Sequence, residues 1–116
     1  MRISILVMCL AATAAISTAV DEISYPAFLH DMHTSMTQMQ RAMDHIQGTG
    51  DPDRDFALMM IPHHQGAIEM AKAELLYGKD PVMRRMAQEI IADQQSEIEA
   101  MQLRLAKNSG KTKREE

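Results

Sequence analysis

Apolar positions recur every three or four residues along most of the chain, and two short polar clusters interrupt them. Tyr25, Leu29, Met32, Met36, Met39, Met43 and Ile46 follow at spacings of four and three, an unbroken seam along one helix. Phe56, Met59, Met60, His63, Ala67, Met70 and Leu75 share a face of a second helix. Val82, Met86, Ile90, Gln94, Met101 and Leu105 form a third stripe, broadened by Met83, Ile91, Ile98 and Leu103. The interruptions are Gln47-Gly48-Thr49-Gly50-Asp51-Pro52 and Tyr77-Gly78-Lys79-Asp80-Pro81. In each, glycine suits the end of one helix. The Asp-Pro pair suits the start of the next, with aspartate as N-cap and proline at the first helical position. No stretch alternates with period two, so nothing reads as a strand. The pattern predicts an all-α fold with helices at about 24–47, 52–77 and 81–107 and a polar tail at 109–116. Short loops make neighbours antiparallel, so the expectation is a three-helix bundle closing its stripes around one core. Dimerisation would complete a larger bundle.

The first 19 residues do not belong to this pattern. Arg2 supplies a positive charge, residues 3–16 are apolar except for Ser4, Cys9 and Thr13, and Ser17-Thr18-Ala19 offers small residues for cleavage. This is the layout of a secretory signal peptide. The apolar run is too short for a retained span, which needs about 20 residues. Cys9 sits too early, and follows Met8 rather than a small residue, for a lipoprotein site. The expected mature domain, 20–108, is thus exported, periplasmic and free of a membrane anchor. It has lost the chain's one cysteine, so it has no disulfide and no thiolate.

Composition narrows the function. With 46% hydrophobic and 24% charged residues the chain is folded rather than disordered. A net charge of -4 and the absence of tryptophan give neither an electrostatic footprint nor stacking platforms for nucleic acid. The outlier is methionine, with 12 residues. Methionine fills irregular core gaps, and a stripe at helical spacing is ordinarily packing. Here the stripe is interleaved with histidine. Met59 precedes His63 by four residues, Met60 precedes His64 by four, and Met70 follows His63 by seven. Each pair can turn a thioether and an imidazole to one side. His33 and Met36 are three apart, with Met39 and Met43 further along the same helix. Thioethers are soft, neutral donors that select Cu(I), and imidazole adds affinity for copper. Zinc ordinarily recruits cysteine or converging histidines, and calcium needs clustered carboxylates. Asp51, Asp53 and Asp55 read as the start of a helix complementing its dipole. Pro62 removes a hydrogen bond to the carbonyl of Leu58 and is expected to kink the helix just before the histidines.

Residues 55–71, from Asp55-Phe56-Ala57-Leu58-Met59-Met60-Ile61-Pro62-His63-His64 to Met70-Ala71, resemble the signature of domain of unknown function 305. That family includes CopM-like periplasmic copper-binding proteins. Ile90-Ile91-Ala92-Asp93-Gln94-Gln95-Ser96-Glu97-Ile98 is similar to its third-helix motif. The resemblance runs from about residue 32 to 105. It implies a ferritin-like bundle and copper binding in the bacterial envelope. Carried over by position, it makes Met59, Met60, His63, His64 and Met70 the metal residues. On the copper reading of the spacing itself, His33, Met36, Met39 and Met43 would form a second or supporting site. Gln94 and Glu97 match the other motif without an assigned role.

Three functions compete. The first is a Cu(I) chaperone or buffer in copper tolerance, without turnover, delivering to an envelope copper-handling protein. The second is a methionine-rich module that binds amphipathic helices without metal. The third is a ferritin-like redox enzyme, which needs Glu-x-x-His motifs on facing helices. No Glu-x-x-His occurs here, and an enzyme is not expected.

Overall fold

A computed structural model describes the backbone of residues 3–112 and the side chains of residues 24–107. It consists of α1 (Ile3–Asp44), α2 (Pro52–Tyr77) and α3 (Pro81–Thr112), joined by short turns into an all-α bundle. The chemistry expected of the helix starts is present. Asp51 accepts hydrogen bonds from the amides of Asp53 and Arg54 at 3.0 and 3.3 Å. Asp80 accepts from Val82 and Met83, both at 2.9 Å. Each carboxylate satisfies two of the amides that a helix start leaves without partners.

Three helix ends differ from expectation. α1 begins at Ile3 rather than near residue 24, because no glycine or proline occurs before Pro26 and residues 3–23 are rich in alanine, leucine and isoleucine. It stops at Asp44 rather than 47. There the His45 Nδ1–H donates to the Arg41 carbonyl at 2.6 Å, and the amide of Ile46 turns back to Met43. α3 continues past residue 107 to Thr112, since no proline stops it. The expected leader, 1–19, lies outside the described side chains, and the last four residues of the expected tail lie outside the described backbone. Among the described residues no helix is long and apolar enough to cross a membrane.

The larger difference is in how the helices meet. α1 packs on α2 and α2 packs on α3, but α1 and α3 do not touch one another among the described residues. The three stripes therefore do not close around a single core. α2 is the middle of a layer and buries two opposite faces. Ala57, His64, Ile68 and Ala71 are buried on one side, Gly66 and Ala73 on the other. At about 100° per residue these sets lie roughly half a turn apart. Small residues permit this, because alanine and glycine let both neighbouring backbones come close. The α1 seam is also rotated from its predicted setting. Phe28, Asp31, Ser35 and Met39 meet α2, whereas Tyr25, Leu29 and Met36 are exposed. Buried Ser35 satisfies its hydroxyl by donating to the Asp31 carbonyl at 2.8 Å.

Both pairings are antiparallel. Phe28 packs edge-on against Tyr77, and the Tyr77 hydroxyl donates to Asp31 at 3.0 Å. Further along the same interface Met39 lies on Gly66. The bond to Asp31 is the main reason the Tyr77 phenol is held above its usual pKa, with desolvation and the charge of Asp31 adding to it. On the other side, Arg84 donates to the carbonyls of Leu75 and Gly78 at 2.6 and 2.9 Å, and His64 reaches Glu97.

Gly66 fixes the α1–α2 distance. A Cβ at this position would sit 2.7 Å from the Met39 Cβ and 2.8 Å from its sulfur. The sulfur could move, but the Cβ is fixed to the backbone. Gly66→Ala would gain about 1 kcal/mol in helix propensity, yet overpacking costs about 1–3 kcal/mol. Urea denaturation is expected to show net destabilisation, relieved in a double-mutant cycle by Met39→Gly, which removes the opposing Cβ, more than by Met39→Ala, which keeps it; a stabilised single variant would contradict this packing.

Asp55 anchors the first turn. Its carboxylate accepts from the Thr49 hydroxyl at 2.6 Å and from the Thr49 amide at 2.9 Å. These bonds, the hydroxyl first, hold its carboxyl below the usual range. A lowered folded pKa contributes stability above the unfolded value of about 3.9 and loses it as pH falls through the lowered value. Asp55→Ala should therefore lower the melting temperature at pH 7, with the gap to wild type narrowing below about pH 4. A gap independent of pH would show that the ionised carboxylate does not matter.

Candidate metal centre

The two histidines in the middle of α2 have different surroundings. They are adjacent in sequence and so about 100° apart around the helix. Their rings meet edge to face, with centroids 5.9 Å apart. His64 turns into the α2–α3 interface and is only 9% exposed. His63 is exposed. Of the two, His64 lies on the packed face of α2 and His63 on its open flank.

His64 Nε2 lies 2.6 Å from Glu97 Oε2. A carboxylate can only accept, so Nε2 carries the proton and donates it. The other ring nitrogen, Nδ1, is buried and has no hydrogen-bond partner. Gln94 Oε1, one turn before Glu97 on α3, is also buried without a partner. An apolar groove runs beside this pair, lined by Phe56, Met60, His64, Glu97, Ala100 and Met101. Met60 stands one turn before His64, and Met101 stands one turn after Glu97. The groove thus gathers two thioether side chains and one imidazole.

The remaining expected residues lie elsewhere. Met59 is 41% exposed and sits one turn before exposed His63. Met70 is half-buried on the same flank of α2. On α1, Met39 is wedged on Gly66, Met43 is half-buried and Met36 is 49% exposed. His33 lines a hollow on α1 with His30, Thr34, Thr37, Gln38 and Arg41, away from the groove that holds His64. His33 and His64 are therefore not brought together. α2 remains a continuous helix through Pro62, which faces α1 beside Gly66.

A wider arrangement connects these positions. On α2, Phe56, Met59, Met60, His63, Ala67 and Met70 fall within an arc of roughly 100°. The flank of α1 that carries Tyr25 shares a groove with Glu74 and Tyr77 of α2, which places the two flanks on one side of the layer. Phe56 and Met60 share theirs with Glu97 and Met101. The opposite side is lined by Thr34, Gln38, Gln65, Glu69 and Lys72. By this register nine of the ten methionines with described side chains face one broad side, and the tenth, Met39, is wedged between α1 and α2. Much of that side is open: Phe56 is 62% exposed, and Met83 and Met86 are exposed as well.

Among the described residues no three or more histidine, aspartate, glutamate or cysteine side chains converge as a metal site. Met59 and Met60 lie one turn before His63 and His64, and thioether with imidazole is a donor set that suits a soft ion. Two residues of the groove escaped the sequence reading. Met101 read as packing, and Glu97 had no role. Their spacing of four on α3 was visible, but the register that sets them opposite Met60 and His64 was not.

Residues 13–105 match the family model described as domain of unknown function (DUF305). A 49-residue stretch is 43% identical to uncharacterized protein L153 of Acanthamoeba polyphaga mimivirus; it covers 42% of this chain and 32% of that protein. The match thus spans about a third of that relative's length. With the greater part of its length inside the family model, the chain belongs to the family of domain of unknown function 305.

Proposed function

We propose that this protein is a copper-binding protein of the bacterial envelope, similar in role to the CopM-like branch, which holds Cu(I) as a carrier or buffer in copper tolerance. The observation that carries the reading is the placement of His63 on the methionine side of the layer and of His64 in the groove beside it, with Met60 and Met101. Met60 and His64, with Met101 across the groove, supply two thioethers and an imidazole. Met59 and His63 form an exposed pair one turn apart, and Met70 extends the same flank. The donor set fits a soft monovalent ion, since thioethers and neutral imidazole bind without adding charge. His64 Nδ1 offers a buried lone pair that nothing in the protein uses. Export rests on the leader-like first 19 residues. Binding and release need no turnover, so the proposed role is not enzymatic.

The exposed side also favours a second reading, a metal-free docking surface for an amphipathic helix or a second copy. Met36, Phe56, Met59, Met83 and Met86 all present apolar area there. The histidines separate the two. Under anaerobic competition with a Cu(I) chelator, the protein is expected to retain copper, and replacing His63 and His64 with alanine should weaken retention at least tenfold, about 1.4 kcal/mol. Complete loss of copper to a weak chelator would end the copper reading. Metal-independent capture of an envelope protein, unaffected by the histidine changes, would establish the second.

A further inference from the structure

The groove contains one hydrogen bond that packing alone does not explain. Glu97 is exposed, with 61% of its side chain open to solvent, yet it holds the Nε2 of a histidine that is almost wholly buried. A surface carboxylate with this freedom gains little stability from such a contact. Its firm consequence is chemical. By accepting the Nε2 proton, Glu97 fixes the tautomer of His64 and leaves the lone pair on Nδ1. That lone pair is buried and unpartnered.

We infer that His64 binds the metal through Nδ1 and that Glu97 is the positioning residue that prepares it. This rests on the copper reading above. Outer carboxylates that orient a ligating imidazole recur in metal sites, because they set ring orientation and raise ligand basicity. Here the carboxylate comes from α3 and the imidazole from α2, so the packed helix pair itself sets the angle of the ligand. Gln94 supports the assignment. Its buried Oε1 is a second acceptor without a donor on the α2-facing stripe of α3, one turn from Glu97. Two unpartnered buried acceptors, one on the histidine that Glu97 holds and one a turn from Glu97, favour a cation over an anion, which would need donors. Met60, one turn before His64, supplies the nearest thioether on the same helix.

The test combines nitrogen-15 spectroscopy of the histidine rings with Cu(I) competition, on wild type, Glu97→Gln and Glu97→Ala. In the metal-free wild type His64 should show the Nε2–H tautomer, and added Cu(I) should shift its Nδ1 resonance. Both variants should bind Cu(I) about 10–100-fold more weakly; Glu97→Gln, which keeps an acceptor for the buried Nε2–H, should unfold close to wild type, whereas Glu97→Ala, which leaves that donor unpaired, should unfold at a lower temperature. A copper-induced shift on Nε2, or unchanged affinity in both variants, overturns the assignment while leaving copper binding intact. Absence of Cu(I) binding by the wild type overturns the functional reading and this assignment with it.

Discussion

The approach of Met39 to Gly66 is the constraint from which the rest of the architecture follows. A helix that lets a neighbouring backbone come this close must present small residues there. α2 does so on two opposite faces, with Gly66 and Ala73 towards α1 and Ala57 and Ala71 towards α3. Two neighbours on opposite sides of one helix cannot also meet each other. The chain therefore forms a layer rather than a closed core, and its larger apolar side chains are displaced from the interfaces to the broad sides. None of the large side chains is fully buried among the described residues. A domain of this size buries only about two-thirds of its unfolded surface, so the caps at Asp51 and Asp80 and the Asp55–Thr49 contact matter more than they would under a thick core.

The same geometry sorts polar from soft. One broad side carries Thr34, Gln38, Gln65, Glu69 and Lys72; the other carries methionine. Hydration distinguishes the two sides, since an ammonium or carboxylate keeps its water, whereas a thioether has little to lose. Adjacent histidines on α2 then fall on different parts of this boundary, His64 inside the α2–α3 interface and His63 on the open flank. A single dipeptide thereby supplies one buried and one exposed imidazole.

Much of this was legible in the sequence. The Asp-Pro pairs at residues 51–52 and 80–81 located the starts of α2 and α3, and α2 spans the predicted 52–77. Chemistry within a few residues decided those features. What was not legible was the direction of packing. A helical wheel ranks faces by apolar content, so Met36 and Phe56 outweighed Ser35, Ala57 and Gly66, although the small residues form the interfaces. The start of α1 was missed because its boundary was inferred from a change in composition, and the backbone ladder does not respond to one. Glu97 was unreadable for another reason: its meaning lies in contact with a residue 33 positions away, which depends on the register of α2 against α3.

Burial of His64 and exposure of Met59 and His63 bear on how a carrier would exchange its cargo. A site enclosed on all sides holds an ion firmly but releases it only when the fold opens. A site made only of exposed thioethers releases readily but has no fixed ligand to define it. In this layer a buried imidazole, oriented from the neighbouring helix, stands next to a methionine flank that is partly open to solvent. On the proposed reading an ion could pass between them by replacing one neutral donor at a time, without a change in net charge at any step. Thiolates would bind more tightly, but they titrate and oxidise to disulfides in an exported compartment. Thioethers do neither, so methionine is the sulfur ligand consistent with both rapid exchange and the absence of cysteine after residue 9.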